Sequence, residues 1–268
     1  MSGKNLSRTI FKNSSVTYYT ASLFFPADTR VAVETLYAFV RTADDFVDAT
    51  PQDSAGLYAF VREYRLALAK KISSSDKRIT EFIALQEKFK FKQVWIDAFL
   101  KAMELDLYKS RYTSLRELEA YMYGSAEVIG CMLSCIFSLP ESSLLPARML
   151  GKAMQYANFI RDIAEDTQLG RQYLPSEIYS GNEVYSLQRE CVRYATWSRA
   201  AKRGIQTLPR RYRVPVETAA ALYDWTVSCI QKNPKKVWQQ KIKPHPLRVM
   251  ITAILYTLRS LFLRISLH

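Results

Sequence analysis

Twenty-two consecutive residues, from Ala27 to Asp48, contain neither glycine nor proline, and their apolar side chains recur at helical spacing. Pro26 is suited to opening this helix, because proline is tolerated at a helix start, and Pro51 marks its end. No alternating strand pattern competes over any length of the chain. The sequence therefore predicts an all-α fold.

The same periodicity continues along the rest of the chain. Further helices are predicted at about 53–71, 76–88, 92–108, 114–137, 144–167, 185–207, 215–231 and 246–265. Turn residues such as Pro140, Gly170 and Gly181 separate them. A chain of 268 residues with 49% hydrophobic content can bury one large core. Since no repeat or linker is apparent, we predict one domain over residues 1–268.

The charge is strongly basic and unevenly placed. A formal net charge of +13 favours an anionic partner, either nucleic acid, acidic lipid or a phosphorylated substrate. No acidic residue follows Asp224, and the helix predicted at 246–265 is both basic and amphipathic, which fits a membrane surface. The alternative is that this helix packs its apolar face onto the core. Arg259 interrupts the apolar run that begins at Val249, so no transmembrane span is predicted.

Cysteine usage favours a reducing compartment. The four cysteines are Cys131, Cys135, Cys191 and Cys229. They form no CxxC pair, and only His245 and His268 are available as further ligands, so neither a zinc site nor a disulfide framework is expected. The N-terminal residues lack the apolar stretch of a signal peptide. We expect a cytoplasmic protein with peripheral membrane association.

Two acidic segments interrupt the apolar helices. In the first, Asp44 and Asp48 lie four residues apart and share a helix face with Arg41 and Tyr37. In the second, Asn158, Asp162 and Asp166 are spaced four and four and form one stripe of oxygen ligands. Arg161 and Glu165 form a second stripe beside it.

The chemistry of these segments depends on their setting. An acidic pair four residues apart is more often a solvated helix face, but carboxylates within apolar helices need a cation or a proton. Oxygen-only ligands favour a hard cation such as Mg²⁺, which binds carboxylates together with substrate phosphate oxygens. A di-iron bundle is the rival, but its Glu-x-x-His signature is missing. The segments therefore predict a magnesium-dependent diphosphate site above an apolar cavity that excludes water.

The residues at this point match a known family. The pattern N-x-x-R-D-x-x-E-D-x-x-x-G-R-x-Y-L-P runs from Asn158 to Pro175, and YAFVRTADDFVD surrounds Asp44. Together they resemble the squalene and phytoene synthase family, over about residues 13–245. The segments NSSVTYYTASLFFP, ELEAYMYGSAEVIG and ALYDW extend the resemblance. It implies a single-domain isoprenoid synthase bundle with a central apolar cavity.

The resemblance also implies site residues. The metal ligands would be Asp44, Asp48, Asn158, Asp162 and Asp166, holding Mg²⁺ or alternatively Mn²⁺. The diphosphates would be held by Arg41, Arg161, Arg171, Gln155 and the hydroxyl-bearing element Ser15, Thr17 and Tyr18. Tyr37, Tyr121, Tyr173 and Tyr223 would surround the reacting carbons or a diphosphate. Catalysis would rest on the four aspartates with Tyr37, Tyr121 and Tyr223.

By the same resemblance, two prenyl diphosphates condense head to head. One ionises, its cation attacks the other, and proton loss gives a cyclopropylcarbinyl diphosphate that ionises and rearranges. Small residues at Ser22, Ala126 and Gly130 would leave tunnel length for a C20 chain, so two geranylgeranyl diphosphates giving phytoene are expected, without NADPH. Two farnesyl diphosphates giving squalene or dehydrosqualene are the alternative.

Two acids depart from the family pattern, namely Glu34 on the first acidic helix and Glu127 in the middle helix, and both bear on the polarity of the tunnel. Proteins of other classes also remain open. A class I terpene cyclase would use the same metals with one substrate, and a scaffold member of the fold would be expected to lose the acids. A nucleic-acid partner is not expected, because the acidic cavity residues would then have no purpose.

Overall fold

The computed structural model describes residues 3–14, 16–174 and 183–265, with side chains at 6–13, 18–174 and 186–259. Within those ranges the regular structure is helical, apart from one isolated bridge between Arg111 and Gln172. The all-α prediction is confirmed.

The α-helices follow one another along the chain. They are α1 (Gly3–Ser14), α2 (Val16–Ser22), α3 (Ala27–Asp48), α4 (Ser54–Lys70), α5 (Lys77–Phe89), α6 (Gln93–Asp106), α7 (Leu115–Met122), α8 (Val128–Ile136), α9 (Leu144–Arg161), α10 (Ile163–Gln168), α11 (Glu183–Ile205), α12 (Arg210–Lys232) and α13 (Pro246–Ile265). A π-helical turn (Tyr123–Glu127) joins α7 to α8, and 3₁₀ turns occupy Glu141–Ser143 and Pro234–Trp238.

Two helices organise the bundle. Helix α3 packs against α1, α4, α5, α6 and α8, and α9 packs against α8, α11 and α12. Around α3 the core is aromatic, and Phe39 stacks on Phe82 with ring centroids 3.7 Å apart. Both acidic segments therefore lie on helices that are packed on several sides, as their apolar residues predicted.

Several helix boundaries differ from the sequence predictions. Helices α1 and α2 were not predicted. The segment predicted as one helix at 114–137 contains the π-helical turn, where Gly124 approaches α6 so closely that an added Cβ would lie 2.4 Å from the Ala98 carbonyl oxygen. Helix α12 begins at Arg210 and keeps Pro215 in its interior, although proline normally disfavours that position. Pro215 is buried, so tertiary packing stabilises the helix around it despite the unfavourable proline.

Candidate active site

A cavity of about 420 Å³ lies inside the bundle. Its walls are mainly apolar and include Phe11, Phe25, Val33, Leu36, Phe99, Met103, Ile129 and Leu150. Polar groups enter it from both acidic helices, with Arg41 and Asp44 from α3 and Gln155 and Asn158 from α9. Both acidic segments therefore contribute to one shared cavity, although Asp48, Asp162 and Asp166 are not among the residues that line it.

Arginines hold the acids at the end of α3. Arg41 lies 2.5 Å from Asp44, 2.6 Å from Asp45 and 3.6 Å from Asp48. Arg171 reaches the same helix end, where it donates to Asp48 at 3.1 Å and to the Val47 carbonyl oxygen at 2.7 Å. These contacts bring Arg41 and Arg171, which lie far apart in sequence, to the same carboxylate, that of Asp48.

The second acidic stripe bends at its centre. The sequence predicted one helix through 144–167, but Asp162 has φ −98° and ψ 11°, and it separates α9 from α10. Hydrogen bonds still run on at helical spacing, from the Asp162 amide to Asn158 at 2.8 Å and from the Asp166 amide to Asp162 at 2.9 Å. The bend leaves the stripe continuous while turning Asp162 towards Arg161, which donates to both of its carboxylate oxygens at 2.8 and 2.5 Å.

Burial and neighbouring charges separate the pKa values of the aspartates. Burial, followed by the charge of Asp48, raises the pKa of Asp44 to about 7. Burial, followed by the charge of Asp162, raises the pKa of Asp166 to about 7. Burial also opposes ionisation of Asp162, but the Arg161 guanidinium and then the Lys241 ammonium hold its pKa below the usual value. Added positive charge would therefore stabilise the ionised forms of Asp44 and Asp166.

The donor set of this site fits a divalent metal. Asn158 Oδ1 is buried without a hydrogen-bond partner in the described residues, so it is a free oxygen ligand at the cavity. In those residues no three His, Cys, Asp or Glu side chains converge closely enough to hold an ion by themselves. Mg²⁺ usually takes one or two carboxylates and completes its shell with water and phosphate oxygens, so the arrangement suits it.

Three of the four tyrosines named from the sequence lie at or beside the cavity. Tyr37 and Tyr121 line it, and the Tyr37 ring packs 4.1 Å from that of Phe11. Tyr18 also lines it, and its hydroxyl lies 2.5 Å from the hydroxyl of Tyr223. Tyr173 instead lies behind Tyr121, stacked on Phe159 with ring centroids 4.3 Å apart. Tyr173 therefore supports the wall of the cavity.

All three small residues named from the sequence line the cavity. Ser22 and Ala126 are buried there, and the Ser22 hydroxyl donates to the Tyr19 carbonyl oxygen. Gly130 has a second reason to be small, because a Cβ at this position would lie 2.4 Å from the Ala147 carbonyl oxygen on α9. Its size therefore also sets the close approach of α8 to α9.

Among the described side chains, the other residues singled out in the sequence are not found in the cavity lining. Ser15 and the side chain of Thr17 lie outside the described residues. Glu127 is absent from the cavity lining and instead pairs with Arg148 at 2.9 Å and Lys152 at 3.8 Å. Glu34 is also outside the lining, and its carboxylate lies 3.9 Å from Arg30. Neither acid therefore lines the cavity.

Two residues at the site were not identified from the sequence. Lys241 follows α12 and pairs with Asp162 at 3.1 Å and with Glu165. Asp106 ends α6 and accepts a hydrogen bond from the Tyr121 hydroxyl at 2.7 Å. Lys241 was one of many basic residues in the tail, but Asp106 carried a usable signal, since it is an acid in the apolar segment around Met103 and Leu107.

Comparison with known proteins gives relatives along most of the chain. A model of the Squalene/phytoene synthase family matches residues 11–248. The 15-cis-phytoene synthase of Synechocystis sp. is 28% identical over 84% of this chain and 75% of its own. That of Enterobacter agglomerans is also 28% identical, over 89% of this chain and 90% of its own.

Solved structures share the fold. A dehydrosqualene synthase in complex with a ligand superposes with a TM-score of 0.85 at 22% identity, covering 96% of this chain and 97% of that one. A squalene synthase from Alicyclobacillus acidocaldarius gives 0.77 at 20% identity, covering 87% and 94%. With the family match over residues 11–248, and with polar residues of both segments on one cavity, the chain belongs to the squalene/phytoene synthase family.

Proposed function

We propose that this protein is a prenyl transferase that condenses two geranylgeranyl diphosphates head to head, giving phytoene and releasing diphosphate. Membership of the family and the breadth of the match to 15-cis-phytoene synthases support this assignment. The observation that carries it is the shared cavity, in which Asp44 and Asn158 enter an apolar chamber from two facing helices. Such a chamber suits long hydrocarbon chains with a charged group at one end.

The metal set proposed is Asp44 and Asp48 on one side and Asn158, Asp162 and Asp166 on the other. Mg²⁺ held by these residues would neutralise charge on the diphosphate and make it a better leaving group. Asn158 supplies a buried amide oxygen that has no other partner among the described residues. Mn²⁺ has similar ligand preferences and is expected to substitute for Mg²⁺.

Three arginines are proposed to bind the diphosphate groups of the substrates. Arg41, Arg161 and Arg171 each contact a carboxylate at the polar end of the cavity, so each can exchange that partner for a phosphate oxygen. Their planar guanidinium groups suit bidentate phosphate contacts. Gln155 and Tyr18 line the same cavity and are proposed to orient the substrates.

The apolar part of the cavity protects the reaction. Ionisation of one substrate gives an allylic cation, which water would quench. Closely packed side chains such as Phe11, Leu36 and Phe99 exclude water, and Tyr37 and Tyr121 can present π faces to the cation. We propose that no NADPH is used and that the last cation loses a proton to give phytoene.

Product analysis tests the assignment. Purified protein is incubated with Mg²⁺ and either farnesyl or geranylgeranyl diphosphate, each with and without NADPH, and the hydrocarbons are extracted. A C40 product from the C20 substrate without NADPH is expected. A C30 product alone would move the assignment to squalene or dehydrosqualene synthesis, and a single-chain product would indicate a cyclase.

We also propose that the protein docks peripherally on an anionic lipid surface through α13. Among the described residues, none of the helices combines the length and apolarity needed to cross a bilayer. One face of α13 packs on the protein through Val249 and Ala253, which are fully buried. The opposite stripe is apolar yet exposed at Leu247, Met250, Ile251, Ile254, Leu255 and Leu258.

The charge of the tail supports anionic lipid as the partner of that stripe. No acidic residue follows Asp224, while the tail carries lysines and arginines that include Lys236, Lys243 and Arg248. A helix with an exposed apolar stripe and basic flanks binds anionic bilayers through both burial and charge. Helix α13 also packs on α2 and α12, which contribute to the cavity wall, so docking would place the cavity near the lipid.

Vesicle sedimentation tests the docking. We expect the protein to bind anionic vesicles more than neutral ones, with binding weakened by salt. The double variant Leu255→Glu/Leu258→Glu should bind at least about tenfold more weakly, since it puts two charges on the stripe. Tyr58→Glu, an exposed aromatic on α4, is the matched control. Unchanged binding of the double variant would refute docking through α13.

A further inference from the structure

Asp106 lies between the apolar reaction cavity and a second cavity beside the acidic end of α3. Its Oδ2 accepts the hydrogen bond from the Tyr121 hydroxyl at 2.7 Å, and Tyr121 lines the apolar cavity. Asp106 itself lines this side cavity of about 330 Å³, together with Asp48, Gln52, Lys109, Ser110 and Arg171. The pair Tyr121–Asp106 therefore connects the dry chamber to a polar one through a single hydrogen bond.

The side cavity opens to water. Gln52, Tyr108 and Ser110 on its rim are exposed, and Tyr108 is 72% exposed. Asp106 and Tyr121 by contrast are only 8% and 5% exposed, so they form the partition between the two spaces. A proton can cross such a partition along hydrogen bonds while water itself stays out.

The second carboxylate oxygen of Asp106 is available to accept a proton. Asp106 Oδ1 is buried and accepts no hydrogen bond of normal geometry among the described residues, although burial raises the pKa of this carboxyl and the nearby Tyr173 hydroxyl helps to lower it. Gln52 fixes the backbone at this point, because its amide donates to the carbonyl oxygens of Val47 at 2.8 Å and Asp106 at 2.9 Å. The side chain is therefore held in place towards Tyr121.

We propose that Tyr121 and Asp106 form a relay that carries the proton lost during condensation from the apolar cavity to the side cavity. This inference rests on the proposed function, because only a reaction that releases a proton from carbon needs it. Asp106 is a positioning and proton-accepting residue that acts through Tyr121.

The step balances without a further reactant. When the cyclopropane ring closes, the electrons of the breaking C–H bond form the new C–C bond, and the proton moves to the Tyr121 oxygen. Tyr121 at the same time passes its own hydroxyl proton to Asp106 Oδ2. Asp106 then releases that proton to water in the side cavity, which restores the starting state.

The acidities of the two groups agree with these roles. Burial, partly offset by the Tyr121 hydrogen bond, raises the pKa of Asp106 to about 7, which suits a group that takes and releases protons near neutral pH. Burial, followed by the charge of Asp106, keeps the pKa of Tyr121 well above its usual value. Tyr121 therefore stays a neutral phenol and passes a proton on without accumulating charge.

A double-mutant cycle tests the relay. Asp106→Asn keeps an oxygen that can accept the Tyr121 hydrogen bond but cannot accept a proton at neutral pH. We expect kcat to fall by about 10²-fold, in the range of lost general-base catalysis, with KM within about twofold of wild type. Tyr121→Phe should lower kcat at least as much. In the Tyr121→Phe background, Asp106→Asn should have little further effect, because the relay is already broken.

The controls separate a relay from a structural role. Asp97→Asn changes an exposed acid on the same helix α6 and should leave kcat unchanged. Thermal unfolding should show that Asp106→Asn is folded and no less stable than wild type. With a substrate deuterated at the carbon that loses the proton, Asp106→Asn should show a larger kinetic isotope effect than wild type, since C–H cleavage becomes slower.

Failure of the relay can be distinguished from failure of the proposed function. If wild type makes no condensation product, the function is wrong and the cycle cannot be run. If wild type is active, kcat effects of the two substitutions that simply multiply, or an unchanged isotope effect in Asp106→Asn, would overturn the relay.

Discussion

At the residue scale, the acids of the site are arranged with cations that compete for them. Asp162 contacts both Arg161 and Lys241, and Asp48 contacts Arg41 and Arg171. These contacts help several carboxylates to lie close to one apolar cavity, because nearby positive charges offset part of the like-charge repulsion. They also indicate how substrate enters, since a diphosphate can take over the same guanidinium groups.

Asp162→Asn is expected to lower kcat by about 10²-fold or more, because it removes a charged ligand from the proposed metal site. The measurement is Mg²⁺-dependent product formation, with circular dichroism to verify that the helices persist. Glu165→Gln is the matched control, since Glu165 also pairs with Lys241 but is more than half exposed. A near-normal rate for Asp162→Asn would show that the metal ligands are wrongly assigned.

Glu34 is expected to make stability depend on pH. Burial raises its pKa, so between its unfolded and folded pKa values the folded state binds more protons, and stability falls as pH rises through the folded value. Glu34→Gln should therefore raise the free energy of unfolding at pH 8, on the order of 1 kcal/mol, and should matter little at pH 4.

Denaturant unfolding at several pH values measures this effect of Glu34. The exposed Glu87→Gln on α5 should change the unfolding free energy little at any pH. A stabilisation by Glu34→Gln that did not grow with pH would contradict the role given to its charge.

At the scale of elements, a buried ion cluster joins the π-helical turn to α9. Glu127 is 3% exposed and pairs with Arg148 and Lys152, while Lys152 also reaches Glu119 at 3.1 Å and the ring of Trp197 on α11. The cluster joins four elements, namely α7, the π-helical turn, α9 and α11. Glu127, which is unusual for the family pattern, thus has two structural partners, both on α9.

Glu127→Ala is expected to cost about 3 kcal/mol or more in unfolding free energy, because it leaves buried positive charge with less compensation. Adding Lys152→Met should recover part of that loss, since both charges are then removed. Denaturant unfolding measures both. The control is Glu141→Ala, which breaks an exposed contact with Lys92 and should cost less than about 1 kcal/mol.

At the scale of the whole molecule, the cavity is a product of helices distant in sequence. Helix α2 supplies Tyr18 and Ser22, α8 supplies Gly130, and α12 supplies Val216 and Ala219. The chain lengths that fit are therefore set jointly by several elements. A change in one wall should alter which substrate is accepted without altering the polar end.

Ser22→Phe is expected to shorten the cavity. The added ring should lower kcat/KM for the C20 substrate by about tenfold or more relative to the C15 substrate, because pocket fit is worth about 1–3 kcal/mol for small changes in length. Competition between the two substrates, with C30 and C40 products counted, measures the ratio. Leu23→Phe at the exposed neighbouring position is the control. An unchanged ratio would show that Ser22 does not limit chain length.

The sequence by itself determined the fold class, and it predicted most of the polar residues of the candidate site. Helical spacing is a local property, so the face shared by Asp44 and Asp48, and the stripe from Asn158 to Asp166, could be read from positions alone. The family motif then linked both segments to one chemistry. The expectation that the apolar face of 246–265 would pack or remain free was left open, because either choice uses the same residues.

Tertiary structure decided what depends on contacts between distant residues. Asp106 meets Tyr121, Lys241 meets Asp162, and Glu127 turns away from the cavity towards Arg148. The exposed stripe of α13 is likewise decided by which face meets α2 and α12. These pairings join side chains that no periodic pattern in the sequence relates. They depend on how whole helices pack, so only the folded molecule determines them.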